Sequence, residues 1–239
     1  MSDAQPTVIA VRAALRACAN ARDAKVLQWF FKTGPGEYGE GDVFIGVRVP
    51  TLRKLVREFA AADESVVQEL LASPTHEERL LALLILVDQF EKGADKDRAR
   101  IHRFYLEHTD RINNWDLVDS SAPGIVGAWL LNRSRTGLDR LARSPSLWER
   151  RIAIVATYAF IRRGQFDDTL RVVDRLLGDR HDLIHKAAGW MLREVGKRDT
   201  AVLEQFLAPH YRTMPRTMLR YAIERFPADR RQAYLRGTV

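Results

Sequence analysis

The segment Asn113–Pro123 carries the residue types best suited to chemistry in this sequence. Trp115 and Asp119 are four residues apart, so on a helix they lie on one face. A fixed carboxylate that is shielded from water stabilises positive charge in a transition state, and a tryptophan face adds to that attraction. The alternative is structural: a neighbouring asparagine caps the helix, Trp115 packs in the core and Asp119 pairs with an arginine.

Two residues further along the chain are expected to join this pair. Arg151 lies in the segment Trp148–Ile154, and Trp190 lies in the segment Lys186–Glu194. Each segment has a polar start followed by an apolar run, and equivalent positions on successive helices of a repeat protein line one face. Two tryptophans, a carboxylate and an arginine would then converge on one surface.

Other motifs have better structural explanations. The segment Gly34–Gly39 matches the pattern G-x-G-x-x-G, but it follows a helical segment, and Glu37 and Glu40 would repel a pyrophosphate. We therefore expect a structural loop. His181 and His185 are four residues apart, but no third ligand lies in register, so we predict surface or capping roles and no metal site.

Nucleophilic catalysis has little support. The paired serines at 120 and 121 lack a G-x-S-x-G elbow. Cys18 continues an apolar helical stripe formed by Val8, Val11 and Leu15, so it is expected in the core. A single cysteine permits no intrachain disulfide and fits a reducing compartment. No metal or organic cofactor is expected.

Helical periodicity runs through almost the whole chain. Val43–Val47 is the one short β-like stretch. Similar segments start roughly every 32 to 38 residues, the length of two-helix repeats. Helices are predicted around residues 8–18, 24–31, 50–59, 65–71, 75–90 and 94–106. The repeat segments start at Thr75, Asn113, Ser146, Leu183 and Pro215. The prediction is an all-α fold, an α-solenoid of stacked helix pairs that forms a single domain over residues 1–239.

The charge distribution favours a polyanionic partner. The chain of 239 residues has 38 Lys and Arg against 31 Asp and Glu, for a net charge of +7. Residues 1–110 have a net charge of −2 and residues 111–239 a net charge of +9. This asymmetry predicts a basic concave face. The net charge, together with a hydrophobic content of 46%, excludes an acidic or strongly disordered chain. Residues 1–11 lack a signal-peptide pattern and no apolar run could cross a membrane, so a cytoplasmic protein is expected. A solenoid with no evident self-complementary stripe is expected to be a monomer.

Several segments resemble the AlkD family of bacterial DNA glycosylases, which are built from HEAT-like helical repeats. The likeness covers about residues 24–226, and its most specific parts are Asn113–Pro123, Trp148–Ile154 and Lys186–Glu194. Lys32–Pro50 is also similar to the N-terminal signature of that family.

The resemblance implies an enzyme of base excision repair. Family members cleave the N-glycosidic bond of cationic N3- and N7-alkylated purines in duplex DNA without drawing the base into a pocket. By this resemblance Trp115, Asp119 and Trp190 are catalytic and Arg151 contacts the DNA backbone. Asp119 would stabilise the oxocarbenium-like sugar and orient the attacking water. Such an enzyme would be associated with the nucleoid while it acts on DNA.

Further DNA contacts are predicted around these residues. Arg193 follows Trp190 by three positions, and Trp29 lies near a position where family members carry an aromatic residue. Arg48 and Lys186 are candidates for phosphate contacts, as are Arg53 and Lys54. Two alternatives stay open: a non-catalytic HEAT-like repeat module that binds DNA or protein, and a basic surface that binds acidic protein or RNA.

Overall fold

The structure is a computed structural model that describes residues 5–239. It is all-α, as predicted: 68% of the chain is helical and the described part contains no strand. The predicted β-like stretch contributes a single bridge between Val43 and Thr75. Across residues 5–239, no helix is both long enough and apolar enough to cross a bilayer. Residues 1–4, which fall within the predicted domain and the N-terminal segment, lie outside the described residues.

The chain divides into two compact units, the first ending at Ser121 and the second starting at Ala122. The first unit contains α1 (Val8–Ala17), α2 (Ala21–Phe30), α3 (Val49–Glu58), α4 (Glu64–Leu71), α5 (His76–Lys92), α6 (Asp95–Glu107) and α7 (Trp115–Ser121). The second contains α8 (Ala128–Leu130), α9 (Thr136–Ala142), α10 (Leu147–Ala156), α11 (Tyr158–Ile161), α12 (Asp167–Leu176), α13 (Asp182–Gly196), α14 (Thr200–His210), α15 (Arg216–Ala222) and α16 (Ala228–Arg236). The prediction of one domain over residues 1–239, with a concave basic face, stays a prediction.

The predicted repeat corresponds to real helix starts. The five segments predicted to open a unit coincide, within two residues, with the starts of α5, α7, α10, α13 and α15. Ser146 caps α10 by accepting a hydrogen bond from the Glu149 backbone N–H. The helices are consistent with a helical-repeat fold of the α-solenoid type, as predicted.

Helix α5 forms the centre of the first unit. It packs against α3, α4 and α7, and the apolar side chains from Leu80 to Leu83 are all buried. A helix that is apolar on every side is stable only inside a protein, and each buried leucine contributes about 1.5–3 kcal/mol. The position of α7 therefore depends on α5.

Two details of the N-terminal helices differ from the prediction. Helix α2 begins at Ala21 rather than near residue 24, because the Asn20 side chain accepts hydrogen bonds from the backbone N–H groups of Arg22 and Asp23. Cys18 is exposed, so its predicted place in the core is wrong. Helix α1 ends at Ala17, and its buried residues are Val11 and Leu15. Cys18 is the C-cap residue and lies beyond the buried part of the helix.

Gly189 allows α13 and α15 to approach closely. A Cβ atom at Gly189 would lie 2.5 Å from the carbonyl oxygen of Met218 and 2.5 Å from the Cβ of Tyr221. We expect Gly189→Ala to lower the free energy of unfolding of the second unit by about 1–3 kcal/mol, because backbone atoms must shift. Urea denaturation measures this loss. Gly178→Ala is the matched control, since nothing lies within 4 Å of its added Cβ; equal losses in both variants would contradict the packing argument.

Candidate functional site

Helix α7 presents Trp115 and Asp119 from the same unit, on one face as their spacing predicts. Both residues are half-buried, whereas Leu117 and Val118, which lie between them in sequence, are fully buried. The helix begins after Asn114, whose side-chain oxygen accepts a hydrogen bond of 2.8 Å from the Trp115 backbone N–H. The apolar side of α7 thus anchors the helix and leaves its Trp115–Asp119 face accessible.

Aromatic rings hold Trp115 in place. Its ring stacks on Phe31, with centroids 5.1 Å apart and an angle of 16° between the planes. Phe30 meets it edge-on at 6.0 Å. Each such pair adds about 0.5–1.5 kcal/mol beyond the area it buries. The orientation of Trp115 therefore depends on the C-terminal end of α2.

The last turn of α7 is anchored by Tyr105. The buried hydroxyl of Tyr105 donates a hydrogen bond of 2.9 Å to Ser121 Oγ, which donates one of 2.5 Å to the Leu117 carbonyl. Burial raises the pKa of Tyr105, the hydrogen bond with Ser121 lowers it, and the negative charge of Asp119 raises it further. Tyr105 consequently stays neutral and holds the turn that carries Asp119.

A buried polar network at the other end of α7 was not predicted from the sequence. His76 contacts two carboxylates: its Nδ1 lies 2.9 Å from Asp42 Oδ2 and its Nε2 lies 2.8 Å from Asp116 Oδ2. Arg79 Nη2 lies 2.6 Å from Asp42 Oδ1. Asn114 Nδ2 donates to Asp42 at 3.3 Å. These contacts join the loop before Val43, the start of α5 and the start of α7.

The network shifts the pKa of its members. Burial lowers the pKa of His76, but the charge and hydrogen bond of Asp116 and the hydrogen bond to Asp42 outweigh it and raise the pKa to about 8. Burial raises the pKa of Asp42, but the hydrogen bond with His76 and the charge of Arg79 bring it below its ordinary value. His76 is therefore mostly protonated at neutral pH, and the two carboxylates are balanced by two cations.

Glu77 anchors the loop that precedes α3. Its carboxylate accepts hydrogen bonds from three consecutive backbone N–H groups, those of Ile45, Gly46 and Val47, at 2.8 to 3.2 Å. Gly46 has a φ of +86°, a left-handed conformation that glycine adopts without strain and that turns neighbouring N–H groups to one side. Glu77 is 2% exposed, so these bonds lie inside the protein.

A pocket of about 250 Å³ lies beside the network in the first unit. Its apolar walls include Val26, Phe30, Phe44 and Val49, and its polar lining includes His76 and Asp116. On this side, the polar contacts of His76 and Asp116 border open space rather than close-packed side chains.

The glycine-rich segment is a structural loop, as expected. The Glu37 carboxylate accepts a hydrogen bond of 2.8 Å from the Gly34 N–H, and the Glu40 carboxylate accepts one of 2.8 Å from the Gly36 N–H. Protein carboxylates thus occupy the N–H groups that a phosphate would need.

The predicted site residues of the second unit lie on α10 and α13. Trp190 is half-buried on α13, with its ring centroid 6.0 Å from that of Tyr158. Arg151 is 5% exposed at the start of α10, and its Nη1 donates a hydrogen bond of 2.6 Å to the Leu183 carbonyl. The neighbouring Arg150 lies 2.6 Å from Asp179 and so has a structural role. The convergence of Arg151 and Trp190 with Trp115 and Asp119 stays a prediction.

The remaining predicted DNA contacts are mostly paired with carboxylates. Arg48 forms two hydrogen bonds with Asp23, of 2.7 and 3.0 Å. Lys186 Nζ lies 2.7 Å from Asp182, and Arg193 is paired with Glu224. A phosphate that binds one of these cations has to compete with its carboxylate.

Trp29 differs from these residues in its exposure. It is 76% exposed on α2, where Val26 and Phe30 are also exposed at helical spacing. A single exposed apolar residue needs no explanation, but three on one helix form a patch that can contact another molecule.

The two units have net charges of opposite sign. The second unit has 22 basic and 12 acidic residues, a net charge of +10, against −3 for the first. His181 caps α13 by accepting a hydrogen bond from the Leu183 N–H, and His185 contacts the Asp179 carbonyl. Within residues 5–239, no three ligand-type residues are placed to hold a metal ion.

Comparison with known proteins gives a consistent result. The family model described as DNA alkylation repair enzyme matches residues 11–226. A solved structure described as a predicted DNA alkylation repair enzyme from Enterococcus faecalis shares the fold, with a TM-score of 0.65 and 15% identity, over 88% of this chain and 97% of that one. No curated protein matches the chain. Because the family model spans most of the sequence, the resemblance is confirmed at the level of the family, and this chain belongs to the DNA alkylation repair enzyme family.

Proposed function

We propose that this protein is a DNA glycosylase that removes cationic N3- and N7-alkylated purines from duplex DNA. Its family supports a role in DNA repair with DNA as the substrate. The observation that carries the finer proposal is the face of α7, where Trp115 and Asp119 are half-buried side by side on a helix anchored at both ends.

The chemistry suits these two residues. An alkylated purine carries a positive charge, so it leaves without a general acid. As the bond between the sugar C1′ and the base nitrogen breaks, its electron pair goes to the base and neutralises it, while the sugar becomes cationic. Asp119 stabilises that cation, and the ring of Trp115 adds an attraction of about 0.5–2 kcal/mol. Water then bonds to C1′ and gives its proton to Asp119, which passes it to solvent.

Of the other predicted residues, Trp190 completes the catalytic set and the rest bind DNA in this proposal. Arg151 contacts phosphate, Trp190 supplies a second aromatic face, and Arg48, Lys186, Arg193 and Trp29 make further DNA contacts. Phosphate contacts position the duplex without reading its sequence. With four cations at phosphates, the logarithm of the binding constant should fall with the logarithm of salt concentration with a slope of about −3 to −4.

The experiment is release of free 7-methylguanine from methylated duplex DNA by the wild-type protein. We expect release over multiple turnovers, with unmethylated duplex as the control. Salt-sensitive duplex binding without base release would contradict the glycosylase and favour the non-catalytic binding module. Failure of duplex DNA to displace a bound RNA would favour the RNA-binding alternative.

A further inference from the structure

We propose that Asp42, His76 and Asp116 form a positioning network for α7, and that loss of the His76 proton releases the first turn of α7 and slows base release. The part concerning base release rests on the proposed glycosylase function. The part concerning α7 stands on geometry alone and has its own measurement.

Both carboxylate contacts of His76 require a protonated ring. A neutral imidazole has one N–H group, so it donates to one carboxylate and turns a lone pair toward the other. Nδ1 and Nε2 of His76 lie 2.9 and 2.8 Å from carboxylate oxygens, and the residue is 1% exposed. When His76 loses its proton, one of the two contacts becomes repulsive.

The contacts act on the residues that flank Trp115. Asp116 follows Trp115 directly and accepts from His76, while Asn114 precedes it and donates to Asp42. Asp116 also accepts a hydrogen bond of 2.9 Å from the Leu117 N–H. Because the pocket of about 250 Å³ borders His76 and Asp116, close packing cannot replace a lost polar contact on that side. A shift of Asp116 would therefore move Trp115, and with it the face that carries Asp119.

The charged groups around His76 belong to several elements that pack against it. Asp42 belongs to the preceding loop, Arg79 and Glu77 to α5, and Asp116 to α7. Glu77 is bound to backbone N–H groups, and Arg48 at the start of α3 lines the same pocket while paired with Asp23. The rings of Phe31, which follows α2, and of Phe44 in the loop also lie against the His76 ring, with centroids 5.1 and 4.4 Å away. Deprotonation thus leaves two carboxylates balanced by Arg79 alone.

The direction of the pH dependence follows from the raised pKa. His76 has a pKa of about 8 in the folded protein, above its ordinary value of 6.5. The stabilisation by the network is therefore fully present below pH 6.5 and is lost as the pH rises through 8. Because this loss displaces the face that carries Asp119, kcat is expected to fall by about 10- to 100-fold between pH 7 and 9.5. KM should change by less than threefold.

The first measurement is independent of activity. The His76 ring and the Trp115 indole N–H are followed by NMR against pH, with Trp115→Phe to assign the indole signal. We expect the Trp115 signal to shift with the same midpoint, about 8, as the His76 ring, and this midpoint to fall in Asp116→Asn. A Trp115 signal that does not follow the His76 titration would overturn the proposal.

The second measurement compares base release across pH in the wild type, His76→Gln, Asp116→Asn and the control His210→Gln. The two network variants should have low kcat with a flat profile between pH 7 and 9.5, whereas His210→Gln should follow the wild type. If kcat of the isosteric Asp116→Asn falls with pH as it does in the wild type, the proposal is overturned. This comparison is decisive even if His76→Gln fails to fold. Absence of release by the wild type would instead refute the glycosylase, and the NMR titration would still decide the positioning role.

Discussion

Asp119→Asn is expected to lower kcat for release of 7-methylguanine by about 100- to 1,000-fold, the loss found when one preorganised electrostatic group is removed. The asparagine keeps the size of the side chain but removes the negative charge that stabilises the cationic sugar. The hydrogen bonds of Tyr105 and Ser121 that hold the end of α7 do not include the Asp119 carboxylate. Single-turnover base release measures the effect, and far-UV circular dichroism checks the fold.

The matched control for this variant is Asp110→Asn. The Asp110 side chain is 72% exposed in the 3₁₀ turn before α7, beside Arg111. Its replacement also removes one carboxylate from the first unit, so it tests whether charge alone alters DNA binding. Duplex affinity should stay the same or rise slightly in both variants, because a repulsive charge is removed. Wild-type kcat in Asp119→Asn would refute the assigned role of this carboxylate.

Glu77→Ala is expected to lower the free energy of unfolding of the first unit by about 3–5 kcal/mol, since it leaves three backbone N–H groups without an acceptor. Two of them, those of Gly46 and Val47, belong to buried residues. Phe44, in the same loop, stacks on the His76 ring with the centroids 4.4 Å apart. The loss is measured by urea denaturation.

Hydrogen exchange locates this effect. The amide protons of Ile45, Gly46 and Val47 should exchange much faster in Glu77→Ala. The variant lacks the hydrogen bonds to the carboxylate that local opening of the loop must break in the wild type. Glu58→Ala is the control, since Glu58 is exposed at the end of α3 and its loss should change stability by less than about 0.5 kcal/mol. Unchanged exchange at the three amides would show that Glu77 does not anchor this loop.

The helices of the first unit and the starts of α10, α13 and α15 were predictable from the sequence. The apolar run after Thr75 and the polar residues at the starts of α5, α10 and α13 are local signals, and helix formation depends on contacts three and four residues apart. The placement of Trp115 and Asp119 on one face follows from the same spacing. The prediction for Cys18 failed because the apolar periodicity continues one residue past the end of α1. Cys18 lies at that position and is exposed.

The pairing of charged residues was not predictable in the same way. Asp42 and Asp116 lie 34 and 40 residues from His76, and Glu224 lies 31 residues from Arg193. No periodicity relates such positions. A charged residue taken by itself is expected on the solvated surface. One usable signal was Asp116 itself, an acidic residue next to the apolar Leu117 and Val118, which needed a partner if it was buried with them.

The sequence by itself determined the all-α repeat, the family, the unequal charge of the two halves of the chain and the shared face of Trp115 and Asp119. These properties depend on residue types and on spacings within one or two helical turns. Only the tertiary structure decided that His76 lies between two carboxylates, that Glu77 holds a loop, and that Arg151 is buried against a backbone carbonyl. The reason is physical: burial and ion pairing depend on which distant segments pack together, and that packing determines which charges lose their water and must find a partner.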